Sequence, residues 1–567
     1  METNIFRTTM KLKQLSYIAA AVALTGFTAC DDFLDDAPDE RVTIDTPEKV
    51  SLLLVDAYPG GNLASLCEFS TDNVIDNNSP DENGMRYNLS YFDRQDLEAF
   101  SWEDVVSNMQ QDSPSYLWEA YYHSIAVANE ALKAIEELEA QGLGDEVQAQ
   151  KGEALMCRAY NHFLLANLFS LHYAGEEASK NIPSIPYMDK VEDKVLVHYN
   201  REPLQSVYEK IEKDILAGYP LINDGAYSVP KYHFNKKAAA AFAARYYLYK
   251  RDYVNAEKWA TEALGGTSAN PAGMMRTFWG KTFTTYDALV AAYTSAQEQS
   301  NLMLIPTYST FSRRRGERFA LNRDAKSATI YGEGPTWSTS ITNYYCHPCY
   351  AGKIFVRGSQ EYGLFFPKAG ELFEYTDKVA GIGYVHIVRC EFTAEEALLT
   401  RAEARIWQNN LTGALEDLRT WDESRQKLSL AVNFPQLTDE RIRDFYKEDT
   451  GGYGIVKPLN IDRVNPVDGK TVNANIEPYL QCVLHFRRIE TIDDGLRWFD
   501  IKRYGIEITH KIGATRVETL VWDDPRRAFQ IPAEVIAAGF APNNRQPLLT
   551  TGSGNFSKLP TSAMVAK

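Results

Sequence analysis

"NKKAAAAFAARYYLYKRDYVNAEKWATEALGG" (Asn235–Gly266) reads as two helices joined by a tight turn. The small residues between Ala238 and Ala244 let a neighbouring helix approach closely. "RDY" is the turn, and Gly265 stops the second helix because glycine enters the left-handed region without strain. The same design recurs on either side. "SYLWEAYYHSIAVANEALKAIEEL" places Trp118, Tyr122, Ile125, Asn129, Leu132 and Ile135 at steps of three and four, which predicts one buried helix face. "GDEVQAQKGEALMCRAYNHFLLANLF" does so with Leu155, Ala159, Phe163, Ala166 and Phe169. "PLQSVYEKIEKDIL" opens on Pro203, a favoured residue at helix starts, and runs Val207, Ile211, Ile215. "TAEEALLTRAEARIWQNNLTGALEDLRTW" is another pair, turning at "QNN".

Paired helices with small residues at their crossings resemble tetratricopeptide repeats, although the period of 34 residues is not kept. Stacked pairs of this kind expose a concave surface suited to binding. The fold expected is mainly α: tetratricopeptide-like helix pairs forming a superhelical scaffold, with repeats over about 115–265 and 392–425. Between about 266 and 385 the helical pattern fails. "GGTSANPAGMMRTFWGKTF" and "IYGEGPTWSTSITNYYCHPCYAGK" are rich in Gly, Pro, Ser and Thr with large rings interleaved. Loop blocks of this length inside a globular chain are uncommon without a function, and rings on loops make shallow binding platforms.

The N-terminus has its own logic. "AVALTGFTACDDFLDDAP" (Ala21–Pro38) takes an apolar run into Cys30 and then into acids. A basic start (Lys11, Lys13), an h-region of about 13 residues and small residues before Cys30 form a secretory signal, too short for a spanning helix of ~20 residues. Either residues 1–29 are an ordinary cleaved signal, or Cys30 becomes the acylated first residue of a bacterial lipoprotein. Ala29, Thr28 and Gly26 favour the second, and "DDFLDD" then begins a solvated tether.

The 567 residues carry a net charge of −17, and removal of residues 1–29 makes it −19. That balance is unfavourable for nucleic acid and for anionic lipid surfaces. Apolar residues at 44% allow a large core, and 33 tyrosines supply flat rings with polar tips suited to recognition. Cys67, Cys157, Cys390 and Cys482 sit in apolar or helical contexts and read as small packing groups. Cys346 and Cys349 form a CxxC without further zinc ligands or a redox setting, so a loop disulfide or free thiols are expected. No motif for a cofactor, metal or nucleotide is visible. The arginines of "SRRRGERF" (Arg313, Arg314, Arg315, Arg318) either pair with acids or meet acidic sugars.

The order of these segments resembles the SusD/RagB family of outer-membrane nutrient-binding lipoproteins over nearly the whole chain. The resemblance rests on "CDDFLDDAPDERVTIDTPEKVSLLLVDAY", "W…YY…I…AN", "RAYNHFLLANLFSLHYAG", "HIVRCEFTAEEALLTRAEA" and "DDPRRAFQIPAEVI". Its most specific piece is "FRRIETIDDGLRWFDIKRYG" (Phe486–Gly505), where the family reads E-R-R-x-E-L-x-x-E-G-x-R-W-x-D-L-x-R-W. Phe486, Thr491, Asp494 and Tyr504 depart mildly from it. The resemblance implies one domain over 30–567, with a C-terminal capping region over about 440–567. It implies that the Glu490, Asp493, Asp494 and Arg487, Arg488, Arg497 cluster is a structural ion-pair network rather than a catalytic carboxylate pair, and that the chain is not an enzyme. It also implies lipid anchoring to the outer membrane, capture of a glycan, and a SusC-like TonB-dependent barrel transporter as partner. Capture of a peptide, as in RagB-like members, and a scaffold binding only proteins are the alternatives. The family builds its ligand site from the loop after the first helix and from the insertion, here Cys67–Trp102 and 270–350. Residue type within those regions selects Asp72, Asn73, Trp102, Trp279, Tyr331, Trp337, Tyr344 and Tyr345.

Overall fold

The computed structural model describes residues 44–547, apart from 81–83, 85–91, 193–196, 279, 280, 282, 338–349, 357, 358, 426–434, 448–453 and 468, together with 552 and 553. Cys30, Trp279, Tyr344, Tyr345, Cys346, Cys349 and the leader lie outside the described residues.

The helices fall into antiparallel pairs. After α1 (Pro47–Leu54), α2 (Ala64–Phe69) and α3 (Arg94–Phe100) come the long α4 (Pro114–Ala140) and α5 (Gln148–Phe169). Then follow α6 (Leu204–Gly218), α7 (Lys236–Lys250), α8 (Tyr253–Ala263), α9 (Ala394–Trp407), α10 (Leu411–Arg425), α11 (Glu477–Glu490) and α12 (Leu496–Tyr504). Packing is serial: α4 on α5, α5 on α6, α7 on α8, α8 on α9, and α9 on α10 and α11. The α7–α8 turn is the expected one. Arg251 takes a left-handed conformation (φ 62°), and the Asp252 side chain accepts from the Asn255 N–H to cap α8. Helix α7 is buried from Ala238 to Tyr249, which explains its run of alanines.

Ile125, Asn129 and Ile135 of α4 are buried as expected, but the buried face is shifted at the start of the helix. The buried side of α4 runs through Leu117, Tyr121, Ser124, Ala128, Ala131, Ile135 and Leu138, while Trp118 and Tyr122 lie on its half-buried flank. The close packing is made on the side where small residues let α5 approach, so the larger rings are displaced to the edge.

The insertion is more ordered than a loop block. Strands β2 (Asn301–Tyr308), β6 (Glu371–Asp377) and β7 (Ile382–Thr393) form an antiparallel sheet in the order β2-β7-β6. Short strands β1 (Ile75–Asp76) and β3 (Phe319–Ala320) pair with each other, as do β4 (Tyr350–Val356) and β5 (Ser359–Phe365). Near the C-terminus β8 (Ile508–Ile512) pairs with β9 (Arg516–Leu520). Strand β7 runs directly into α9, whose cap is Thr393. Cys67, Cys157, Cys390 and Cys482 are free thiols, the first two and Cys482 buried. No described helix is long and apolar enough to cross a membrane.

Candidate functional site

The two segments expected to build a site do meet. Strand β1, in the loop after α2, pairs with β3 of the insertion in the register Ile75↔Ala320 and Asp76↔Phe319. Arg318 clamps Asp76 with two hydrogen bonds of 2.8 Å, a bidentate geometry that fixes both partners. Arg314 is buried between Asp96 and Asp112, and the Asp112 carboxylate also accepts from the Ser309 hydroxyl (2.6 Å) and the Thr310 N–H (2.8 Å). Arg313 pairs with Glu371 and Arg315 with Asp493. All four arginines of the basic run therefore hold acids brought from elsewhere in the chain.

Of the five selected residues that the structure describes, four are buried. Asp72 is buried: Arg497 donates to both carboxylate oxygens (3.0 and 2.9 Å), and Lys457 lies 2.8 Å away. Burial pushes the Asp72 carboxyl up, but Arg488, Arg497 and Lys457 more than reverse this and hold it well below the usual carboxylate range. Asn73 donates to Glu68 and accepts from Arg488 at 2.8 Å. Trp102 is buried against His510, centroids 4.3 Å apart, and donates its indole N–H to the Ser70 carbonyl. Tyr331 is buried and stacks on Phe366. Trp337 is half-buried, donates to the Gly332 carbonyl and lies beside His485 and Phe486.

Other rings face outward on the β2-β7-β6 sheet. Along β2, β7 and β6 the register aligns Tyr308 with His386 and Leu372, and Tyr384 with Glu374. Side chains alternate along a strand, so these five share one face. Tyr308 and Tyr384 meet edge to face with centroids 5.7 Å apart, and Tyr384 is 55% exposed. Tyr116, in the first turn of α4, joins them. Burial pushes its hydroxyl pKa up to about 12, with Tyr308, Asp112, Glu119 and Tyr384 adding to the shift. The His386 Nδ1 atom, in the row between Tyr308 and Leu372, has no hydrogen-bond partner among the described residues. Gly383 makes the hairpin possible: a Cβ there would lie 1.9 Å from the Glu374 carbonyl oxygen. On the opposite face Phe373 and Tyr375 are also exposed, in contact at 4.8 Å. The signal for these residues is the alternation of "GYVHIV", in which Tyr384 and His386 interleave with buried Val385 and Ile387.

Residues 32–248 match the SusD-like_3 family model, described as "Starch-binding associating with outer membrane". In fold the chain is similar to a SusD superfamily protein from Bacteroides vulgatus, at 17% identity over 89% of this chain and 99% of that one, with a TM-score of 0.54. A SusD superfamily protein from Bacteroides thetaiotaomicron gives 16% identity over 88% and 100%, with a TM-score of 0.53. A SusD-like carbohydrate binding protein from Bacteroides vulgatus gives 14% over 87% and 96%, with a TM-score of 0.51. No curated protein matches the chain.

The chain shares the fold of these SusD superfamily structures.

The segment Phe486–Gly505 is a buried ion-pair network. Asp500 on α12 pairs with Arg487 on α11 (3.0 Å) and with Arg503 (2.9 Å). Arg503 and the Tyr504 hydroxyl both reach Glu403 of the repeat helix α9, at 2.6 Å each. Glu490 accepts from the Trp421 indole N–H at 2.9 Å and from Arg425, Asp493 meets Arg315, and Asp494 meets Lys368. Every carboxylate of this segment is thus engaged with a cation, and the network ties the C-terminal region to the repeats, to Asp72 and to the insertion.

Proposed function

We propose that the chain captures an oligosaccharide on the surface formed by Tyr116, Tyr308 and Tyr384, without bond chemistry. A pyranose presents an apolar C–H face that packs on aromatic rings, and hydroxyls that need donors and acceptors at the ring edges. Here the three tyrosine hydroxyls and Glu374 stand around exposed ring area. The cluster sits where β2 of the insertion meets the Gly60–Gly61 stretch before α2, and the exposed ring pair of Tyr308 and Tyr384 carries the reading. The family description and the carbohydrate-binding structural neighbour support it.

In this reading Asp72, Asn73, Trp102 and Tyr331 brace the surface from below. Trp337, Trp279, Tyr344 and Tyr345 are further ring contacts to be tested. Residues 1–29 are a lipoprotein signal, residues 30–567 act as one domain, and acyl chains on Cys30 hold it at the outer membrane, exposed at the cell surface. From there the glycan passes to a SusC-like TonB-dependent transporter.

A glycan array set against a peptide-library pull-down tests the ligand class, and the Tyr308→Ala, Tyr384→Ala double variant tests the place. Each sugar-facing ring contributes on the order of 1 kcal/mol, so affinity should fall roughly thirtyfold. Retention of peptides but no glycans overturns the ligand class. Unchanged affinity in a folded double variant overturns the place.

A further inference from the structure

A second cavity, of about 420 Å³, opens on another side of α4. Trp118 follows Tyr116 by two residues, which turns it about 200° around the helix, so the two rings project in nearly opposite directions. Trp118 and Tyr122 form one wall, centroids 5.0 Å apart, and Phe540 meets Trp118 edge to face at 5.8 Å. The facing wall is the loop at Pro186–Lys190, and α4 and α5 pin it. The Tyr122 hydroxyl donates to the Pro186 carbonyl (2.9 Å), and buried Asn129 donates to the Met188 carbonyl (3.0 Å). The Met188 N–H donates to His162 Nε2 (2.9 Å). The cavity is therefore preformed rather than a gap between mobile segments.

Its mouth carries Glu130, Glu192, Lys190 and His198. The first three are exposed, and none of them is in an ion pair among the described residues. A wholly apolar occupant would leave the polar rim without a partner. An occupant with net charge would face both signs. A neutral sugar meets both requirements, with its C–H faces on Trp118, Tyr122 and Phe540 and its hydroxyls at the rim. We propose that this cavity is a second, independent sugar-binding subsite, so that one chain grips a neutral polysaccharide at two places on opposite sides of α4. This rests on the glycan reading above and extends it to a site built from the repeat helices.

The test is titration calorimetry on the full chain with neutral gluco-, xylo-, manno- and galacto-configured hexasaccharides as probes. A sugar that binds should show two classes of site. Trp118→Ala should weaken one class tenfold or more and leave the class that Tyr308→Ala with Tyr384→Ala removes. Because Trp118 also packs on Phe169, Ala126→Trp serves as a second variant. Ala126 is an exposed lining residue, and a large ring there fills the cavity without removing a core contact. Loss of the same class in both variants supports the subsite. Two intact classes in folded Ala126→Trp overturn it while leaving glycan capture in place. Absence of binding to every hexasaccharide by the unaltered chain overturns both.

Discussion

Asp72→Ala is the sharpest test of how the site is supported. The carboxylate is buried and faces Arg497, Lys457 and Arg488, the last at 3.7 Å. Removing it leaves three cations facing one another in the interior. Breaking a buried pair from one side costs about 3–5 kcal/mol, most of it the penalty of the stranded charge. At roughly 2 cal/mol/K per residue, the unfolding entropy of a chain this long is on the order of 1 kcal/mol/K, so Tm should fall by about 3–5 °C. Scanning calorimetry at pH 7 measures it. The acid dependence gives an independent check. The folded pKa lies below the unfolded one, so the Asp72 contribution is complete above about pH 4 and is lost as pH falls toward the folded value. The gap in Tm between the unaltered chain and the variant should therefore close in acid. An unchanged Tm together with lost oligosaccharide binding would refute this reasoning and place Asp72 in contact with ligand.

Gly495→Ala should be comparably damaging, by about 2–5 kcal/mol in chemical denaturation. It forces a side chain into a left-handed conformation (φ 78°) and sets a Cβ 2.9 Å from the Ala64 Cα, and wild-type stability would show the α2–α12 contact to be looser than described. His162 should stay neutral: its Nδ1–H donates to the Arg158 carbonyl, its Nε2 accepts from Met188, and burial lowers its pKa to about 3. Its contribution to stability is then full above about pH 6.5 and is lost between there and pH 3, so an NMR titration of the ring showing a midpoint near 6 would contradict it. If the proposed lipidation holds, Cys30→Ala should leave the fold intact but release the protein from membranes; retention after a high-salt wash argues against lipidation.

The helix pairs were legible because their signals are local. Asn235–Gly266 carries its cap, small-residue face, turn and stop within one window, and the structure reproduces each. Strand β2, by contrast, reads "NLMLIPTY" and is buried almost throughout, so it shows no alternation to separate it from a helix or an apolar loop. The start of the α4 face was misplaced because periodicity weighs large rings such as Trp118 and Tyr122, whereas the packing also used Ser124, Ala128 and Ala131. The loop residues pose a different difficulty. Asp72 and Asn73 are polar residues in an expected ligand loop, but their partners Arg488 and Arg497 lie more than 400 positions later. No local pattern tells a carboxylate that will face solvent from one that will be clamped by a distant helix.

That long-range clamping bears on how a loop-built surface can recognise anything. Strands β1 and β3 are two residues each and exchange few backbone hydrogen bonds, so secondary structure alone does not fix the junction. Apolar packing would bury these segments but tolerate many orientations. Bidentate and multiply bonded pairs such as Arg318–Asp76, Arg497–Asp72 and Arg314–Asp112 tolerate few, because a displaced partner leaves buried charge unmet. The same demand explains why the interior consumes so many of the chain's arginines while its outer rings stay unencumbered. Rigidity is supplied beneath the surface by charge, which leaves Tyr116, Tyr308 and Tyr384 to present ring area already held in place. A ligand that docks there then gives up less binding energy to ordering the protein.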